Sequence, residues 1–138
     1  MSLFVGRFDR SVDGKGRVIL PSRLRPYFDS TASTGGFLAP HEDGCIALWA
    51  NEEFTKESNR QHLREEDGVA ARHEVREWFS KVSEIKLDIQ GRMAVPGDLK
   101  SYAGLDTEVL FVGVHDRVEL WSRERWDHRF ELQSGAAS

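Results

Sequence analysis

One thirteen-residue block occurs twice in this chain of 138 residues. DGKGRVILPSRLR (residues 13–25) aligns with DIQGRMAVPGDLK (88–100) at an offset of 75. The alignment pairs Asp13 with Asp88, Gly16 with Gly91, Arg17 with Arg92, Pro21 with Pro96 and Leu24 with Leu99, and keeps a positive charge at Arg25/Lys100. A second match follows at an offset of 72, CIALWANEEF (45–54) against RVELWSRERW (117–126). Two matches in the same order at nearly the same offset make the chain two copies of one unit. A copy of about 60–70 residues is marginal as a free-standing core. The halves are therefore expected to interleave their hairpins into one shared core about a pseudo-twofold axis.

Each copy reads as a short apolar strand, a tight turn and a second strand closed by proline. In the first, Leu3, Val5 and Phe8 precede Asp13-Gly14-Lys15-Gly16, and residues 17–20 lead to Pro21. In the second, residues 82–87 precede Asp88-Ile89-Gln90-Gly91, and residues 92–95 lead to Pro96. Gly14, Gly16 and Gly91 suit a tight hairpin turn, and Asp13 and Asp88 can accept the backbone N–H groups that follow them. Short helices are expected at about 22–28 and 97–102, the first weakened by Pro26. Later in each copy comes a further strand pair, 36–39 with 45–50 and 108–114 with 117–121, followed by a polar helix from near Asn51 and near Ser122. Leu63, Val69, Val75, Trp78, Phe79 and Val82 recur at loosely helical intervals within residues 53–82. They predict a helical connection, broken at Gly68, whose apolar stripe packs on both halves.

Charge is distributed unevenly. The formal total is -4, yet residues 1–25 carry Arg7, Arg10, Lys15, Arg17, Arg23 and Arg25 against only Asp9 and Asp13, so the first fifth is basic and the remainder acidic. Because charges act within a Debye length of about 8–10 Å, an acidic protein can still meet a polyanion through such a patch. Hydrophobic content of 39% and charged content of 30% fit a soluble folded chain. No apolar run approaches the roughly 18–20 residues that cross a bilayer, and MSLFVGRFDR lacks a secretory pattern, so a cytoplasmic location is expected. Cys45 is the only cysteine, which excludes an internal disulfide and a thiolate-rich zinc site within one chain. His41 lies four residues before Cys45, but in a turn with no further His or Cys nearby in sequence. With no phosphate-binding loop, dinucleotide fingerprint or HExxH, neither an enzyme, a metal, a cofactor nor a small-molecule substrate is expected.

The repeated D-x-x-x-R turn, Asp13–Arg17 and Asp88–Arg92, together with LFVGVHDRVELWSRERW (110–126), resembles the MraZ family over about residues 1–132. That resemblance implies an α+β fold of the AbrB-like swapped-hairpin superfamily. Two tandem hairpin/helix repeats, 1–60 and 83–132, would interleave into one pseudo-twofold β-core, with a helical linker at 61–82 and a short tail at 133–138. It also implies a cytoplasmic, nucleoid-associated bacterial transcriptional regulator that assembles into a ring. Such a regulator binds short direct repeats in double-stranded promoter DNA upstream of its own division and cell-wall operon.

The chemistry of the turns supports such a role. Glycine lets a backbone approach phosphate closely, and arginine can fork onto phosphate or guanine. Lys15, Arg17 and Arg92 are the expected DNA contacts, with Arg7, Arg10, Arg23 and Arg25 as a surrounding field. Asp13, Gly14, Gly16, Asp88 and Gly91 are expected to form the turns. The alternative for Asp13–Arg17 and Asp88–Arg92 is an ion pair that only pins each hairpin. The second turn has Gln90 where the first has Lys15, so equal contributions are not required. Trp49 and Trp121 read as core, while Trp126 and Phe130 could face a neighbouring subunit. The competing class is a protein-interaction scaffold or an antitoxin-like module with weak or no specific DNA binding.

Overall fold

The computed structural model describes residues 3–28 and 35–129. Its strands are β1 (Arg7–Ser11), β2 (Arg17–Ile19), β3 (Gly36–Pro40), β4 (Ile46–Trp49), β5 (Ser83–Ile85), β6 (Arg92–Ala94), β7 (Glu108–Val114) and β8 (Arg117–Ser122). Its helices are α1 (Asn51–Leu63), α2 (Val69–Lys81) and α3 (Gly97–Ala103), with residues 123–129 helical as well. The architecture is α+β and its ladders are antiparallel.

The arms of each turn part company. Only an isolated bridge, Val12 with Val18, joins the strands flanking the first turn. Instead β1 pairs with β7 and β5 pairs with β3, while β2 pairs with β6 in a separate two-stranded ribbon. The large sheet runs β1-β7-β8-β4-β3-β5, an order that maps onto itself when β1 exchanges with β5, β3 with β7 and β4 with β8. Strand pairing thus crosses from the first half of the chain to the second at both edges and at the β4–β8 centre.

Alternation along the central strands gives the sheet two buried faces. Leu38, Ile46, Leu48, Phe111, Val118 and Leu120 face the ribbon and α3, sharing a core with Val18, Met93, Val95 and Leu99. The opposite face is covered by helices. Ala47 and Trp49 pack with Trp78 of α2, and Leu110 and Trp121 pack with Cys45 and Trp126. The Trp78 indole N–H donates to the carbonyl of Pro40 at 3.0 Å, which ties α2 to the end of β3.

Four expectations need correction. Leu3 and Val5 are exposed; Phe4 between them is the buried residue, stacked on Phe28 at 5.3 Å. Burial keeps the same alternation on both sides of Gly6, whose φ is 86°: Phe4 and Phe8 join one core cluster, and Leu3 and Val5 fall on the other parity. The expected helix at 22–28 is reduced to a 3-10 turn at Arg25–Tyr27, because Pro26 removes a donor and cannot propagate an α-helix. The stripe at 53–82 does not pack on both halves. Val75 and Trp78 are buried and α1 and α2 lie on β3 and β4, whereas Leu63 and Val69 are exposed at the tip of the helical hairpin. Gly68, at φ 112°, makes the break between the helices as expected. Lastly, Trp126 packs edge-on against Trp121 at 5.7 Å, so it is committed within the chain, while Phe130 lies outside the described residues.

Candidate nucleic-acid interface

The two repeated turns are the same hydrogen-bonded object built twice. Asp13 Oδ1 accepts the N–H groups of Lys15 and Arg17, both at 2.9 Å, and its carbonyl accepts the N–H of Gly16 at 3.0 Å. Asp88 Oδ1 accepts those of Gln90 and Arg92 at 2.9 Å, and its carbonyl that of Gly91 at 2.9 Å. Gly16 and Gly91 have φ of 76° and 78°, a conformation that strains any residue with a Cβ. The second carboxylate oxygen in each turn takes the Nε of its arginine, at 3.1 Å for Arg17 and 2.8 Å for Arg92.

Both aspartates are held below the usual carboxylate range. The backbone N–H of Arg17 acts most strongly on Asp13 and that of Arg92 on Asp88, with the arginine side chains adding to it. The ion pair and the display of the arginine are therefore not competing descriptions. Nε holds each side chain in place while part of it still meets solvent, with side-chain exposures of 30% for Arg17 and 27% for Arg92.

The ribbon sets how the two arginines stand to one another. Val18 and Met93 are paired and buried, so Arg17, Ile19, Arg92 and Ala94 occupy its outward face. Arg17 and Arg92 are diagonal neighbours on that face, a backbone separation of roughly 7–8 Å. Each end of the ribbon is fastened to the other turn. Leu20 N–H donates to Gly91 O at 2.9 Å, and Val95 N–H to Gly16 O at 3.1 Å.

The remaining candidates scatter. Lys15 and Gly14 are exposed at the first turn and Arg23 is exposed shortly after Pro21. Arg25 is half-buried and donates to Leu20 O at 2.8 Å, on the side of the second turn. Arg7 and Arg10 lie on edge strand β1, Arg7 some six residues or about 20 Å of extended chain from Asp13. Around Arg10 stand Asp9, Glu108 and Arg123, with Asp9 and Arg123 paired at 2.7 Å, so that region is mixed in charge.

Sequence spacing hid a further grouping. Glu119 joins His41 and Cys45, their donor atoms lying within 4.8 Å of one another. His41 and Glu119 also accept hydrogen bonds from within the chain. His41 Nδ1 accepts the Asp43 N–H, Glu119 Oε1 accepts from Trp121 Nε1 and Oε2 from Arg117 Nε. Burial, together with the charges of Glu119 and Asp43, pushes the Cys45 thiol well up, keeping it protonated. The three side chains form a largely buried polar cluster at the start of β4. Glu119 had one local signal, its place between Val118 and Leu120 on a strand that is buried along most of its length.

Such a molecule falls into a definite class: an α+β protein whose cross-paired ribbon carries two arginine-bearing Asx turns on its outer face. Residues 78–137 match the family model described as “MraZ protein, putative antitoxin-like”. The chain is 39% identical to “Transcriptional regulator MraZ” of Natranaerobius thermophilus over 130 residues, covering 91% of this chain and 85% of that protein. It is 36% identical to the protein of the same name from Desulforamulus reducens over 136 residues, 98% and 92% of the two chains. The one from Lachnoclostridium phytofermentans is 34% identical over 131 residues, 91% and 85%. The chain belongs to the MraZ family.

Proposed function

We propose that this protein is a sequence-specific DNA-binding transcriptional regulator. It would act on short direct repeats upstream of its own cell-division and cell-wall operon, in the cytoplasm and at the nucleoid. Lys15, Arg17 and Arg92 are the contacts, displayed by a ring-shaped homo-oligomer built from repeats 1–60 and 83–132. The observation that carries this reading is the pair of matching turns, each of which holds an arginine by Nε with its side chain partly exposed. The relatives' printed name, transcriptional regulator, supports the regulatory part of this reading. Phosphate contacts of this kind hold register, while base edges supply sequence. One ribbon is too small to select a site alone. Several copies facing spaced repeats would gain through effective concentration.

Footprinting on the DNA upstream of the gene tests this directly. Protection of regularly spaced short repeats is expected, with sedimentation showing a closed oligomer at micromolar concentration. No protection, together with a co-purifying protein partner, would favour the scaffold or antitoxin class.

A further inference from the structure

Arg25 stands in the first repeated block, but its guanidinium lies across the second turn. A Cβ built on Gly91 would fall 2.4 Å from both Cζ and Nε of Arg25. Nε is anchored on Leu20 O, and among the described residues no hydrogen bond or ion pair engages the two terminal amino groups. They border a cleft lined by Leu87, Asp88, Ile89 and Gly91. Asp88, the one carboxylate among the described lining residues, is occupied by the amides of Gln90 and Arg92 and by the Arg92 Nε. Arg25 is thus a cation held in place with its charge unspent.

Among the described residues the first turn has no such visitor. The nearest heavy atom to a Cβ on Gly16 is the Val95 carbonyl oxygen at 3.9 Å. There the turn bears its own cation, Lys15, where the second turn bears Gln90 beside a fully exposed Ile89. We infer that Arg25 and Arg92 form a composite phosphate seat at the second turn, in which the first repeat lends the second the cation that its own tip lacks. Its ligand is a backbone phosphate of double-stranded DNA, taken by the paired donors of a guanidinium whose orientation is already fixed. The absence of a side chain at Gly91 is what admits Arg25 to this position. This inference deepens the DNA-binding reading and rests on it.

The test is a salt titration of binding to the duplex upstream of the gene, followed by anisotropy. Arg25→Ala is expected to lower the slope of log K against log[salt] by about one per engaged subunit and to weaken binding about fivefold at 0.15 M salt. Should that variant fail to fold, Arg25→Gln keeps an N–H donor but no charge, and the same losses are expected. Gly91→Ala and Gly16→Ala strain similar backbone, but only the first collides with Arg25. The excess slope lost in Gly91→Ala should vanish in an Arg25→Ala background. A folded Arg25 variant with wild-type slope overturns the seat if Arg17→Ala still loses slope. If Arg17→Ala is also wild-type, the DNA-binding reading falls with it.

Discussion

Val18 of β2 sits directly opposite Met93 of β6, and each is only 1% exposed. This one pair, contributed by two distant segments, turns Arg17 and Arg92 to the same outer face and seals the ribbon onto the sheet core. Met93→Ala should cost about 2–5 kcal/mol, as truncation of a buried large side chain does. The thermal midpoint is expected to fall by roughly 3 °C or more per kcal/mol. A melting curve within a degree of wild type would show that the pair does not secure the ribbon.

Arg17→Ala should remain folded, because its side chain is partly exposed and Asp13 keeps its two backbone donors. Its DNA affinity should weaken, with the salt slope reduced by about one for each phosphate that is no longer neutralised. Arg92→Ala should behave similarly at the other turn. Far-ultraviolet circular dichroism alongside anisotropy separates weaker binding from unfolding.

The two Asx turns should be sensitive to acid. Their carboxyls titrate below the ordinary value of 3.8, so the stabilisation they give is complete above that value and disappears as pH falls through the lower folded values. The amide resonances of Lys15, Arg17, Gln90 and Arg92 should hold steady from pH 7 down through the ordinary carboxylate value of 3.8 and shift together only below it. Movement of these amides already at pH 6 would show that the carboxylates do not hold the turns.

Cys45 should be inert to thiol reagents in the folded protein. It is fully buried beside Leu110 and Trp121, and burial disfavours its thiolate. Labelling with a disulfide reagent at pH 8 is expected only after denaturation. Rapid stoichiometric reaction of the native protein would contradict the packing of this face.

Local chemistry made the turns readable. An aspartate followed by glycine and arginine within five residues closes its own hydrogen bonds, and both copies do so. The short helix at 97–103 and the break at Gly68 were legible for the same reason. Local pattern was less reliable where burial depends on distant partners. Leu63 and Val69 have helical spacing yet are exposed at the tip of the helical hairpin, and Phe4 is buried by distant partners, Tyr27 and Phe28 against its ring and His115 bridged to its backbone. The role of Glu119 emerges only when β4 and β8 bring Cys45 and Glu119 together.

The sequence by itself determined that a D-x-x-x-R turn occurs twice, with glycine before each arginine, so that each aspartate can close on the N–H groups that follow it. That is a matter of short-range hydrogen bonding. Only the tertiary structure decided that the arms of each turn separate, that β2 finds β6, and that Arg25 comes to rest against Gly91 and not beside its own turn. A strand carries unpaired donors and acceptors along both edges, so its neighbours do not specify its partner. That choice falls to the packing of the whole core, which buries Val18 against Met93 and so fixes where every cation on the ribbon can stand.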